Sequence, residues 1–472
     1  MKAIDLPARG QRIRPTDNAR NVADVPLISK SQRSIHRVLC LLLCSVIFEG
    51  VCRKLAPQFL RNLIFFSKDF LTVILLLLCL KSKLNPEASR LLGLMGRLFL
   101  LLAPCIVVTT IHDPVLAVFG IKQYALFPAV AVAMCAAYIP NNSRLLFSLL
   151  RWIAFSVILT TGFAVAQNRL PTENWLNLSV AGDDLSGFSR GGYMRVSSTF
   201  PFVGQYCYYL NALCYCLPAY FYFNHVFRAR AAIIQIVILL GMLIIGTFIT
   251  GSRGSVVGNA GILSAAGLLC VFFAGAKGLI KVIALAVLGI VLLAVIQSQS
   301  PDFFAAYQAR VDETTESSHT IEMEKRIEQS LLGWINNTTL SFSGILGNGL
   351  GVMSNGSDKL SAYAAGWRRD GVWTETDQAT TLFEGGLYLM LVWYGFRFWV
   401  IFHCLTMILK LRLLEFRLVA CFAWGFIFII GVTSTLAIQP PLAIWWWLAV
   451  GLLACLGPME REQMAKRTHS LP

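Results

Sequence analysis

Gly251-Ser252-Arg253-Gly254 sets one arginine in a tight turn between two long apolar runs, Ile233 to Thr250 and Ser255 to Ala274. A guanidinium facing lipid is costly, and a glycine turn leaves the first N–H groups of a following helix free to attract an anion. The spacing therefore points to a water-filled cavity or a polar, anionic ligand; the plainer reading is a hairpin tip whose arginine snorkels into headgroups. More cations crowd similar positions: Arg53, Lys54, Arg61 and Lys68 early in the chain, then Lys122, Arg190 and Arg195. Such a set suits a lipid phosphate or diphosphate, which guanidinium groups grip in bidentate fashion, with headgroup snorkelling as the alternative. Carboxylates form the complementary group. Glu375 and Asp377 stand just before a long apolar run and Glu384 stands inside it, where acids are expensive unless they face a polar cavity. Glu375 suits a general base and Glu384 a partner for arginine. The bland readings are solvated loop acids for Glu375 and Asp377 and a structural ion pair for Glu384.

The elements that position these groups are membrane-crossing helices. Of 472 residues, 56% are hydrophobic and only 14% charged, with a mean hydropathy of +0.64, far outside the soluble range. The apolar runs last about 20 residues, the length at which a helix spans the hydrocarbon core. About twelve such runs are readable, which predicts an all-α polytopic membrane protein. The organisation expected is a disordered tail over 1–37, spans one to nine over 38–298, a large polar loop over 299–380, spans ten to twelve over 381–457, and a tail over 458–472. No cleavable signal is expected, since the first apolar run follows some 35 polar residues without a small-residue cleavage site.

Lys and Arg counted on alternate sides orient the bundle. With the amino terminus inside, that side receives Lys81 and Lys83, Arg144, Arg228 and Arg230, Lys277 and Lys281, Lys410, Arg412 and Arg417, and the basic carboxyl terminus. Both termini are then cytoplasmic, and the loops over 167–199 and 299–380 lie outside with the Arg253 turn. Much of the net charge of +15 is this topological excess and not a nucleic-acid footprint. The outside cations run against the bias, which is what marks them.

Thirteen cysteines fall within or at the edges of apolar runs and read as small buried hydrophobes. Cys214 and Cys216 point to different faces of a helix, a poor metal pair, so no metal site or cofactor is expected. Residues 312–332 carry an amphipathic pattern suited to a helix on the membrane or over a cavity. The dense Gly344-Ile345-Leu346-Gly347-Asn348-Gly349-Leu350-Gly351 has no strand-turn-helix context and is not read as a nucleotide fingerprint.

Taken in order, four places resemble the O-antigen ligase and polymerase superfamily of bacterial envelope glycosyltransferases: Phe48-Glu49-Gly50 with Arg53-Lys54 and Lys68-Asp69; Arg195-Val196-Ser197-Ser198-Thr199-Phe200; the Gly251 to Gly254 turn; and Gly347-Asn348-Gly349-Leu350-Gly351 with Glu384-Gly385-Gly386. The resemblance covers nearly the whole chain through short, degenerate motifs. It implies metal-independent glycan transfer, without a cofactor, from a polyprenyl-diphosphate-linked donor on the outer face of a bacterial inner membrane. Arg195 and Arg253 would hold the diphosphate with Arg53, Lys54 and Lys68, and flippase and chain-length regulator proteins would be partners. Many ligases of the superfamily carry a histidine about nine residues before the glutamate that matches Glu384, and here Glu375 stands there. His112 and His319 are the histidines expected outside. That departure favours a polymerase of repeat units over a ligase, with Arg253, Arg195, Glu375, Asp377 and Glu384 as the catalytic set. A transporter using the same cations as a funnel, or a non-catalytic assembly partner, stays open. Against a transporter, no internal repeat or paired broken helices are evident in the sequence.

Overall fold

Ser29 opens the first helix with a capping box: its hydroxyl accepts the Gln32 N–H while the Gln32 side chain accepts the Ser29 N–H. The structure, a computed structural model, describes residues 29–140, 143–183, 193–227, 232–273, 275–315, 344–372, 374 and 376–469. The described residues are helical, with the long elements α1 (Lys30–Leu55), α2 (Gln58–Lys81), α3 (Pro86–His112) and α4 (Pro114–Ile121), the last continued by a π turn over Lys122–Leu126. Then come α5 (Ala129–Tyr138), α6 (Ser143–Arg169), α7 (Val203–Phe227), α8 (Ala232–Ile249), α9 (Arg253–Phe273), α10 (Gly275–Gln299) and α11 (Asp302–Thr315). After residue 343 the chain forms α12 (Ser357–Leu360), α13 (Ala362–Arg369), α14 (Asp377–Leu409), α15 (Leu414–Thr433) and α16 (Pro440–His469).

Among the described residues, nine helices are long and apolar enough to cross a membrane, or ten where α4 and α5, bent by 44° at their junction, count together as one. The protein is thus an α-helical, multi-pass membrane protein. The two further spans expected from the sequence fall on α7 and α8. Leu100, Ile233, Phe272 and Leu391 are each more than 70% exposed on the bundle surface, the pattern of side chains that lipid covers. The interior is filled by α5, whose ten residues are all buried, and by the inner part of α16. Small residues permit the close approach on which helix packing in lipid depends: a methyl on Gly451 would lie 2.7 Å from Met134 Cβ, and one on Gly425 would lie 2.6 Å from the Ile262 carbonyl oxygen.

One helix is not what its length suggests. Asp377 and Arg397 are twenty residues apart on α14, about 30 Å along a continuous helix, yet Arg397 Nη1 is in contact with Asp377 Oδ2. The chain reverses between them at Gly386 (φ 61°, ψ −160°), so α14 is a short helix folded back on a long one. The pair is buried, 1% and 3% exposed at the side chains. Tyr394 Oη donates to Asp377 at 3.2 Å, and Arg397 Nη2 donates to the Ser434 carbonyl at 2.9 Å. The Ala437 N–H reaches the other carboxylate oxygen, so the broken helix is tied to the α15–α16 connection.

Removing one partner of a buried pair strands the other charge and costs about 3–5 kcal/mol, whereas apolar replacement of both is close to neutral. Arg397→Met is therefore expected to lower the thermal midpoint in detergent sharply, and Asp377→Leu added to it to restore most of the loss. A single variant as stable as wild type would refute the assignment.

Candidate functional site

The reversal at Gly386 leaves backbone groups without their helical partners, and the glycine loop supplies replacements. Asn348 N–H donates to the Phe383 carbonyl at 2.9 Å, Gly349 N–H to the Glu384 carbonyl at 2.9 Å, and Tyr388 N–H to the Ile345 carbonyl at 3.1 Å. The contact is glycine on glycine. A methyl on Gly386 (φ +61°) would lie 2.4 Å from the Ile345 oxygen, and one on Gly347 (φ +67°) would lie 2.5 Å from Gly385 N. Both residues combine a left-handed backbone with no room for Cβ.

Glu384 is fully buried at this junction. One carboxylate oxygen accepts the Met353 N–H at 2.8 Å; the other accepts Tyr124 Oη at 2.9 Å and Gln123 Nε2 at 3.2 Å. Neighbouring side chains diverge by about 100° on an α-helix. The wider π turn lets the adjacent Gln123 and Tyr124 converge on one atom. Gln123 Oε1 in turn accepts the Ser354 hydroxyl. Arg368 donates to the Met353 carbonyl at 3.2 Å; burial lowers its guanidinium from the usual range, and Asp358 and Glu384 act in the opposite sense. The Asp113 carboxyl, at the α3–α4 corner, is held below its usual range chiefly by a hydrogen bond from Ser361. The short helices α12 and α13 are thereby moored over the loop.

Beside this junction lies a buried ionic network. Glu49 takes Arg53 Nη1 at 3.2 Å on one oxygen and Lys68 Nζ at 3.1 Å on the other, and Lys122 Nζ meets Asp69 at 3.0 Å. Lys68 stands 4.2 Å over the Phe65 ring and Lys122 4.7 Å over the Phe119 ring, contacts that favour a desolvated cation. Two carboxylates against three cations leave the cluster positive. A cavity of about 40 Å³ opens onto it, lined by Lys68, Lys122, Gln123, Gln205 and Ser354 with the α15–α16 connection at Ala437 to Pro441. Lys54 is directed away, donating to the Leu176 carbonyl at 2.6 Å.

The segment with Arg195 docks on the same end. Thr199 Oγ1 donates to the Ile47 carbonyl at 2.6 Å and the Val51 N–H to the Thr199 carbonyl at 3.2 Å. Gly50 is the seat, since a methyl there would lie 2.2 Å from the Phe200 carbonyl oxygen. Arg253 is half-buried at the start of α9, just after the turn at Gly251 (φ +58°), where a methyl would lie 3.2 Å from Ala306 Cβ of α11. Four buried polar atoms at this end have no hydrogen-bond partner among the described residues: Arg53 Nε, Asp69 Oδ1, Arg195 Nε and Gln205 Oε1. Such atoms are rare in folded proteins and call for a cause.

The structure thus places Glu49, Arg53, Lys68, Lys122 and Glu384 around one junction and the Arg195 segment against α1. Asp377 is engaged by Arg397, and the donors on Glu384 are Gln123, Tyr124 and Met353, with Arg368 acting through space. Arg190, His319, Glu375 and most of the 312–332 stretch lie outside the described residues. His112 stacks on Tyr363 with ring centroids 5.0 Å apart. Gln123, Gln205, Ser354 and Arg397 went unmarked in the sequence, although an arginine inside an apolar run is itself a signal. Comparison with family models and with curated proteins finds no match.

Glu384→Gln turns one carboxylate oxygen into an amide N–H₂ that faces a donor in either orientation, Met353 N–H or the Gln123 and Tyr124 pair, and leaves a buried mismatch costing about 1–3 kcal/mol. The expected outcome is faster hydrogen exchange across 345–353 with the helices unchanged. Unaltered exchange would show that the carboxylate does not hold the loop.

Proposed function

We propose that this protein transfers glycan from a polyprenyl-diphosphate-linked donor at the end of the bundle that carries the glycine loop, joining repeat units of a bacterial envelope polysaccharide. The observation behind this reading is the net-positive, half-satisfied cluster: Arg53, Lys68 and Lys122 share two carboxylates, and the buried Nε donors of Arg53 and Arg195 keep unused hydrogen-bonding capacity. An anion with several acceptor oxygens, embedded through a lipid tail, matches both the charge and the depth. In this reading the loop end faces outside, following the distribution of Lys and Arg, and both termini are cytoplasmic.

The chemistry is a displacement at the anomeric carbon. The acceptor hydroxyl oxygen bonds to that carbon, the carbon–oxygen bond to the diphosphate breaks, and the diphosphate leaves on its polyprenyl carrier. Arg195 and Arg253 offset the charge that grows on the leaving group. The acceptor proton passes to a carboxylate. Glu375 is assigned that role, because Asp377 is held by Arg397 and Glu384 by three donors. Transfer to a lipid acceptor would use the same parts and is the second form of the proposal.

Arg195→Ala and Arg253→Ala are each expected to cut polymer formation about hundredfold, the scale of losing one charge-stabilising donor. Arg253→Lys should recover only part of it, because bidentate contact is lost. The measurement is glycan length on a gel from deletion cells complemented with each variant at equal expression. Long chains lost with single repeats still on lipid means polymerase, and full-length polymer left on the carrier means ligase. A wild-type pattern from both alanine variants refutes the proposal. Glu375→Gln should abolish polymer while donor binding persists; a transporter would tolerate it.

A further inference from the structure

At the other end of the bundle, about 20 to 36 Å along α14 from Gly386, a cavity of about 730 Å³ opens between α3, α14 and α16. Each wall is one helix face. Glu87, Arg90, Leu94 and Arg97 follow at steps of three and four on α3, and Trp399, His403, Met407 and Lys410 do the same on α14. Five cations line it: Arg90, Arg97, Lys410, Arg412 and Arg461. Of the two acids present, Glu87 pairs with Arg90 at 3.3 Å, and Glu460 is buried with one oxygen taking the N–H groups of Arg412 and Leu413. Arg97, Lys410, Arg412 and Arg461 form no ion pair among the described residues.

Positive charge at helix ends is ordinary in a membrane protein. Here the charges rim an apolar recess. Lys410 and Arg412 lie at the α14–α15 connection, while Leu94, Met407 and Leu453 lie deeper on the walls. Arg97 stands eleven residues into α3, about 16 Å along it, an expensive place for a guanidinium facing lipid tails. From there it can snorkel back toward the other cations. Trp399 and His403 stack in parallel, ring centroids 4.9 Å apart, forming an aromatic wall of the kind found at the headgroup level.

We propose that this cavity binds an anionic phospholipid, its phosphate held by Arg97, Lys410, Arg412 and Arg461 and its acyl chains lying against Leu94, Met407 and Leu453. The juxtaposition of cations and apolar side chains on the same walls selects a lipid over a soluble anion, and the charge excess selects an anionic lipid over a zwitterionic one. The site is independent of the glycan-transfer reading.

The test is native mass spectrometry of the purified full chain titrated with phosphatidylglycerol or phosphatidylcholine. Wild type is expected to retain phosphatidylglycerol with about tenfold or greater preference, and Arg412→Gln combined with Arg461→Gln to lose that preference, each charge contributing several-fold. That pair leaves Lys410, Arg417, Lys466 and Arg467 in place to keep the topology. Leu94→Trp, which fills the recess and removes no charge, should also reduce retention. Equal uptake of the two lipids by wild type, undiminished retention by both variants, or displacement of phosphatidylglycerol by millimolar inorganic phosphate would each overturn the proposal.

Discussion

The break of α14 at Gly386 is the constraint around which the rest is arranged. A helix interrupted within a bundle exposes amide and carbonyl groups that a low-dielectric surrounding does not forgive. Here the gap is closed by Asn348, Gly349 and Ile345 of a loop that comes from outside the helix. Because the replacement bonds are made by backbone, the loop must come within van der Waals contact of the helix. That is possible only with glycine on both surfaces. Once seated, the loop brings Met353 N–H to Glu384, and Glu384 brings the π turn with Gln123 and Tyr124. A single backbone reversal thus links α3, α4, α14 and the short helices above them.

Charge at depth is handled by two different arrangements. Asp377 and Arg397 are matched one to one in charge, joined by further hydrogen bonds with only Arg397 Nε left without a partner among the described residues, and serve as a staple between the folded-back helix and the α15–α16 connection. The group around Glu49 and Asp69 has a surplus cation and several buried polar atoms with bonding capacity to spare. A staple gains nothing from surplus, because every unmatched buried group is a cost. A surplus at one end of the bundle is what a site for an anion requires.

Part of this was legible in the chain. Glu49, Arg53 and Lys68 do meet one another, and the glycine loop does meet Glu384-Gly385-Gly386; polar residues inside apolar runs are the reason they stood out. The roles were less legible. Glu384 reads as an arginine partner, yet its direct donors are an amide, a phenol and a backbone N–H, none of which carries a charge signature in a sequence. Arg397 sits in a helix that looks continuous, so its pairing with a residue twenty positions earlier is invisible until the reversal is known. Gln123 has no mark beyond being polar, because the π turn that aims it leaves no trace in hydrophobic periodicity.

What the sequence determined alone is the class: apolar runs of spanning length allow only helices in lipid, since every backbone group must bond within its own segment. Spans, basic loops and the unusual polar positions follow from composition read along one dimension. The tertiary structure decided which charge meets which. Glu49 with Lys68, Lys122 with Asp69, Gln123 with Glu384 and Asp377 with Arg397 are joined across different elements or across a reversal within one. The physical reason is that a buried polar group is satisfied by geometry of a few tenths of an ångström, and that geometry is set by helix packing and by one glycine with a left-handed backbone.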